Sequence, residues 1–342
     1  MGMRIDQKIV LVTRPTQMAA LRRKFATGAQ AKFQIVSAKK RELAKRAPAM
    51  AGAASPAQVE QLAEQEFATL AEASEQYDVA LQQLRRELDF DDFDLPVQIV
   101  DRDFLPNFVF GPNDVVVTVG QDGLVANTAK YAVGLPIIAV NPDPQRIDGV
   151  LLPFRADQAR AAVRAVLHGK ARYREVTLAE ATLDNGQRQL AFNELFIGSR
   201  THVSARYRLT IGGRSEPQSS SGVIVSTGAG STGWLSSVFN MAAGVMGLFG
   251  KPPEKQATMR LEWEDPRLLF AVREPFVSKS SRAGIVAGLV EPGQEIAFES
   301  DMASDGVIFS DGVESDYLEF NAGTTARVHA AKRKARLVSG LS

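Results

Sequence analysis

The 342-residue chain contains no cysteine and only three histidines. Without thiols, disulfides and thiolate metal sites are excluded, and a reducing compartment fits. His168, His202 and His329 stand apart, with no H-x-x-x-H or H-x-x-E spacing, so the sequence offers no tight metal site. No window approaches the ~20 consecutive apolar residues of a membrane span. The opening MGMRIDQKIV carries charges where a signal peptide needs an apolar core. Neither sign of charge dominates: 40 Lys plus Arg stand against 39 Asp plus Glu. That balance argues against a broad nucleic-acid or membrane surface. The basic runs KKRELAKR (39–46) and KRKAR (332–336) read as solvated faces. G-x-S-x-G is missing, which removes the signature of one large hydrolase class, and no internal repeat is visible. The expected setting is cytoplasmic, with no nucleic-acid and no membrane partner.

What remains is an ordinary globular composition, 45% apolar and 23% charged, long enough for two domains. In the first half, short apolar runs alternate with helical patterns. KIVLVT (8–13), KFQIV (32–36), PVQIV (96–100), DVVVTV (114–119) and LPIIAV (135–140) are strand candidates. Helices are expected from about 17 to 25, from near Gly123, and from about 157 to 168. Strands separated by helices predict a layered, parallel α/β sheet. Residues 39–92, low in glycine and rich in Ala, Gln, Glu and Arg, read as a helical insertion. Ser55-Pro56 suits a helix start. Leu62, Tyr77, Leu81, Leu84 and Leu88 share one helical face, which could pack on the sheet or on a partner subunit.

After Tyr173 the pattern becomes short strands with turn signals: REVTLAEATL, GQRQLAFNELFIG, HVSARYRLTIGG and GVIVST. A helix near 231–248 precedes ATMRLEW, RLLFAV, RAGIVAGL, QEIAFE, GVIFSDG and ARVHAA. Asp184-Asn185-Gly186 and Gly212-Gly213 suit hairpin turns. The expected architecture is an α/β layered domain over 1–160, carrying the insertion, and an all-β, sandwich-like domain over 161–342.

Three stretches could carry chemistry. In VVVTVGQDGLVANTAKY (115–131), glycines follow a buried strand and a helix starts at once, which presents backbone N–H groups to an anion. The carboxylate of Asp122 would repel a bare phosphate. It makes sense if it holds Mg²⁺ or accepts a proton from a hydroxyl attacking phosphate. The commoner use of Asp-Gly at a strand end is a plain turn. In SSSGVIVSTGAGSTGWLSS (219–237), G-x-G-x-x-G lies between strand and helix. A dinucleotide-binding Rossmann unit would have an acidic residue about 20 positions on, closing a second strand, and none is found there. Ser226, Thr227, Ser231 and Thr232 beside three glycines suit a ligand loop; the alternative is a small-residue turn that lets a helix pack closely. In AFNELFIG (191–198), Asn193 and Glu194 interrupt an apolar strand. Buried, they need partners, either backbone groups or a ligand.

GQDG, FNELFIG and VSTGAGSTGW, in this order, resemble the NAD kinase family, with its Gly-Gly-Asp-Gly, Asn-Glu and Ser-Thr-Pro-Thr-Gly-Ser-Thr-Ala-Tyr segments. PIIAVNPD (136–143) and GVIFSDGVESDYLEFNAGTTARVHAA (306–331) extend the likeness to residues 95–338 and the strand at 8–13. The resemblance implies an NAD kinase-like fold with a nucleotide-binding first domain and an acceptor-binding second. It implies transfer of the terminal phosphoryl of ATP, with Mg²⁺ present, to the 2′-hydroxyl of the adenosine ribose of NAD. Asp122 would be the base, and Gly120 and Gly123 would shape the phosphate-facing loop. Asn193, Glu194, Thr227, Gly230, Ser231, Thr232 and Trp234 would line the acceptor site. No side-chain metal site is implied, and a homo-oligomer is. The sequence departs from the family at Gln121, where it has glycine, at Gly228-Ala229, where it has Pro-Thr, and at Ser221, where it has aspartate. Another nucleotide, sugar or lipid hydroxyl as acceptor, or a nucleotide sensor without catalysis, are the alternatives.

Overall fold

The computed structural model describes residues 7–25, 27–46, 56–88, 93–250 and 259–341. The first part runs β1 (Ile9–Thr13), α1 (Gln17–Lys24), α2 (Gly28–Arg46), α3 (Pro56–Leu88), β2 (Val97–Asp101), β3 (Val115–Val119), α4 (Asp122–Ala129), β4 (Pro136–Asn141), β5 (Phe154–Arg155) and α5 (Ala159–Leu167). Strands β1 to β4 pair in parallel in the order β2-β1-β3-β4. Their sequences are nearly continuous in Val and Ile because both faces are covered. In β1, Val10 and Val12 join the core under α4, while Ile9 and Leu11 join the core under α3 and α5.

The chain continues through β6 (Ala171–Val176), β7 (Ala179–Leu183), β8 (Arg188–Ala191), β9 (Glu194–Ser199), β10 (Ala205–Ile211), β11 (Arg214–Ser220), β12 (Val223–Ser226), α6 (Trp234–Leu248) and β13 (Leu268–Val272). It ends with β14 (Ala287–Val290), β15 (Ile296–Ser300), β16 (Gly306–Ser310), β17 (Val313–Glu319), β18 (Thr325–Ala330) and β19 (Ala335–Leu341). Two six-stranded antiparallel sheets, β11-β10-β15-β18-β7-β8 and β14-β13-β12-β9-β16-β17, face each other across one apolar core. Strands β19 and β6 leave this half and extend the first sheet beyond β4, so the last strand closes back onto the first domain.

The structure corrects three expectations. KFQIV (32–36) lies inside α2, which packs on α3, with Lys32 and Glu64 3.0 Å apart. Phe33 is exposed while Ala31 is buried and Ile35 half-buried, a spacing of four that suits a helix and outweighs the β-branched composition. The helical segment therefore begins before 39; Ser55 and residues 89–92 lie outside the described residues. ATMRLEW forms no strand over 259–263; Trp263 instead lies 3.6 Å from the Arg174 guanidinium carbon, and its carbonyl accepts from Thr177 N–H at 2.9 Å. The lower face of α3 behaves as its spacing predicts, with Tyr77, Leu84 and Leu88 buried on the sheet, whereas Leu62 is exposed.

Candidate functional site

Helix α4 connects the candidate residues. Gly120 closes β3, and a Cβ there would sit 3.0 Å from Leu124 and 3.4 Å from the Arg14 side chain, so glycine permits the crossing. At Gly123 a Cβ would meet nothing within 4 Å, so this side of the loop is open. Between them Asp122 opens α4 at the carboxyl edge of the parallel sheet, where α/β folds bind ligands. Its two carboxylate oxygens accept from the backbone N–H groups of Leu151 (3.0 Å) and Val150 (3.2 Å). That leaves lone pairs free, because a carboxylate has about four acceptor positions.

One residue beyond the other end of α4, Lys130 enters the β half. Its ammonium, with the side chain 2% exposed, donates to Ser310 Oγ at 2.8 Å and lies 3.5 Å from the Asp316 carboxylate. Tyr131 OH donates to the same carboxylate. Next to Ser310, Asp311 adopts φ 53 and accepts from the N–H groups of Phe192, Asn193 and Glu194 at 3.0, 2.6 and 3.4 Å. Burial pushes its carboxyl up, against those N–H groups and Lys130. Burial, reinforced by Asp311, pushes Glu194 up to about 7. The eight-residue helix thus sets the Lys130 backbone ~12 Å from that of Asp122 along its axis.

Asn193, Glu194 and the glycine-rich loop are brought together. A Cβ on Gly230 would lie 2.1 Å from the Asn193 carbonyl, and one on Gly228 only 1.9 Å from that of Glu262. These two glycines are therefore required by backbone packing. Thr227 donates its hydroxyl to Phe192 O at 2.6 Å and Ser231 to Gly228 O at 2.7 Å, both from buried positions, and Ser226 is engaged with Asn193 O at 3.3 Å. Their hydroxyl protons are already used within the protein. Thr232 is exposed, and Asn193 and Trp234 are half-buried, so these keep a free side.

Two features escaped sequence reasoning. Glu194 and Phe196 point away from the sandwich core, which takes Leu195 and Ile197. On that outer face Phe196 stacks with Trp234 (5.6 Å between centroids) and Phe309 (4.8 Å). With Tyr317, Arg200 and Arg273 they line a cleft of about 440 Å³, and Arg273 lies 5.2 Å from the Trp234 ring centre. Period-2 alternation from Glu194 is the signal that could have found Phe196. The second feature, Asp311, was visible only as an Asp-Gly turn, because its partners are 117 or more positions away.

Layered parallel sheet, antiparallel sandwich and glycine-rich loops at their junction define an NAD kinase-like two-domain fold. The chain is similar to an NAD kinase from Archaeoglobus fulgidus, solved with ATP, at 16% identity over 75% of this chain and 88% of that one (TM-score 0.51). It is similar to yeast NADH kinase, solved with NADH, at 14% identity over 98% of this chain and 84% of that one (TM-score 0.52). No protein-family model and no curated protein matches the sequence.

Proposed function

We propose that this protein transfers the terminal phosphoryl group of ATP to the 2′-hydroxyl of the adenosine ribose of NAD, giving NADP, with Asp122 as general base. The observation that carries the reading is the placement of Asp122: a half-exposed carboxylate at a helix start, between Gly120 and an open Gly123, held by two backbone N–H groups. The likeness in fold to proteins solved with ATP and with NADH supports both substrates. As the ribose oxygen forms its bond to the γ-phosphorus, ADP leaves with the bridging oxygen and the hydroxyl proton passes to Asp122. Val150 and Leu151 keep the carboxylate aimed during this transfer. Phe196, Trp234 and Phe309 offer faces on which a heteroaromatic ring of the acceptor stacks. Among the described residues no cluster of three His, Asp or Glu could cage a metal. Mg²⁺ would therefore come held by the donor's phosphates, whose charge it neutralises.

Gln121 favours a second reading, a nucleotide sensor without catalysis, because its side chain fills the loop where the resembling family has none. One experiment separates them: purified protein with ATP, Mg²⁺ and NAD, read by NADP formation. Asp122→Asn is expected to cut turnover by ~10²–10⁴-fold while ATP binding persists. Undiminished turnover in that variant removes the base. No NADP from the wild type removes NAD as acceptor, and ATP binding without any turnover selects the sensor.

A further inference from the structure

A larger cleft, about 620 Å³, lies on the outer face of the β11-β10-β15-β18-β7-β8 sheet, where β18, β7 and β8 meet the turn after α4. It shares no lining residue with the cleft of Phe196 and Trp234, which belongs to the opposite sheet. Val133, just past α4, Leu190 of β8 and Ala331, just past β18, give it an apolar wall. All three are half-buried and pack on the core under α4. Along the strands, period-2 alternation turns Ala181, Ala326 and Val328 into the sandwich core, and Glu180, Thr182, Arg327 and His329 out to the cleft.

The charges around this wall do not cancel. Two acidic groups line the cleft, and both are taken: Glu180 lies 3.6 Å from Arg188, and Glu295 pairs with Arg327. Lys332 and Arg333, from the basic run that the sequence marks as a solvated face, are left over. Among the described residues neither has a carboxylate within ion-pair distance. Arg333 is nevertheless held in place. Its Nη2 donates to the Val133 carbonyl, and it lies over Gly134, where a Cβ would come 2.7 Å from that nitrogen. Gly134 has φ 78, which glycine adopts without strain. A guanidinium has five N–H donors, so most of those of Arg333 remain for a ligand.

A small inorganic ion would leave the apolar wall wet, and a neutral apolar molecule would leave the fixed guanidinium unused. A molecule with one anionic head on an aliphatic chain satisfies both, and a cleft of this size accommodates it. We propose that this cleft binds such an amphipathic organic anion, of the medium-chain acyl class. Its head, a carboxylate or a phosphate, sits on Arg333 and Lys332, and its chain lies on Val133, Leu190 and Ala331. The bound molecule touches both halves of the chain, Val133 in the first and β7, β8 and β18 in the second. This site is independent of Asp122 and of the reaction proposed above.

The test is titration calorimetry of the full chain with octanoate and with octyl phosphate, against acetate and octan-1-ol at matched ionic strength. Wild type is expected to bind at least one of the two chain-bearing anions about tenfold or more tighter than either control, and the tighter of them identifies the head. Arg333→Gln should weaken that binding by about tenfold or more, since it removes charge-assisted hydrogen bonds to the head. Glu295→Gln should tighten it a few-fold by freeing Arg327, a gain that misfolding cannot mimic. Equal affinity in wild type and a folded Arg333→Gln overturns the proposal, as does an absence of binding by wild type. Octan-1-ol bound as tightly as the anions removes the role of the cations, and acetate bound as tightly removes that of the apolar wall; either result also overturns it.

Discussion

Helix α4 has a cation near each end, and the two are treated differently. At its far end Lys130 is almost fully buried, yet Ser310, Asp316 and, more distantly, Asp311 compensate it. At its near end Arg14 is only half-buried, and among the described residues a neutral amide is the one partner of its guanidinium. A cation that holds a fold together is paired within that fold, because an unpaired buried charge is costly. The guanidinium left unpaired lines a cleft beside α3. Compensation, more than burial, separates structural charges from the rest.

The comparison breaks most visibly at Lys130. Replacing it by Met leaves Asp311, which also acts on Glu194, and the partly exposed Asp316 without their cation. Removal of one partner of a buried pair costs ~3–5 kcal/mol, an upper bound for a pair with one carboxylate partly in solvent. Lys130→Met is therefore expected to lower the urea midpoint strongly at pH 7, and less at acid pH, where Asp311, whose carboxyl burial pushes up, takes up a proton. A midpoint unchanged at pH 7 would show that Lys130 carries no structural load.

Glu194 sharpens the picture with an opposite sign. Its folded pKa of about 7 lies above the ordinary carboxylate value of 4.5, so the folded state favours the protonated form. The stability this group contributes is complete below pH 4.5 and is lost as pH rises through 7. At about 1.4 kcal/mol per tenfold change in proton affinity, the loss reaches at most about 3.5 kcal/mol. Glu194→Gln, permanently neutral, should match wild type near pH 4.5 and exceed its stability at pH 8. Equal stability at pH 8 would mean that the carboxylate finds a cation or solvent there.

Much of this architecture was readable in the sequence. Apolar runs such as IVLVT and VVVTV mark strands buried on both faces, and the 3.6-residue spacing of Tyr77, Leu84 and Leu88 marks the buried face of α3. Polar strands left no such trace. β11, RSEPQSS, carries Pro217 and lies at a sheet edge, and β17, VESDYLE, is also an edge strand with much of its surface exposed, so neither needs an apolar pattern. The loop motifs were visible as motifs. Their hydroxyls suggested ligand contacts, yet Thr227 and Ser231 spend their protons on local carbonyls. Arg14 gave no signal at all, because what distinguishes it is that no carboxylate among the described residues lies within reach, a property that only the folded chain has.

The smallest expected effect tests the near end of the helix. Among the described residues, removing an uncompensated cation leaves no orphaned partner beyond the amide of the exposed Gln121, so Arg14→Gln should change stability by less than ~1 kcal/mol, close to the range of ordinary surface substitutions. Thermal melts therefore separate the two ends of α4: Arg14→Gln melts close to wild type, and any Lys130 variant that still folds melts from a lower base. If Arg14→Gln instead loses several kcal/mol, Arg14 is a structural cation like Lys130, and the contrast between the ends disappears.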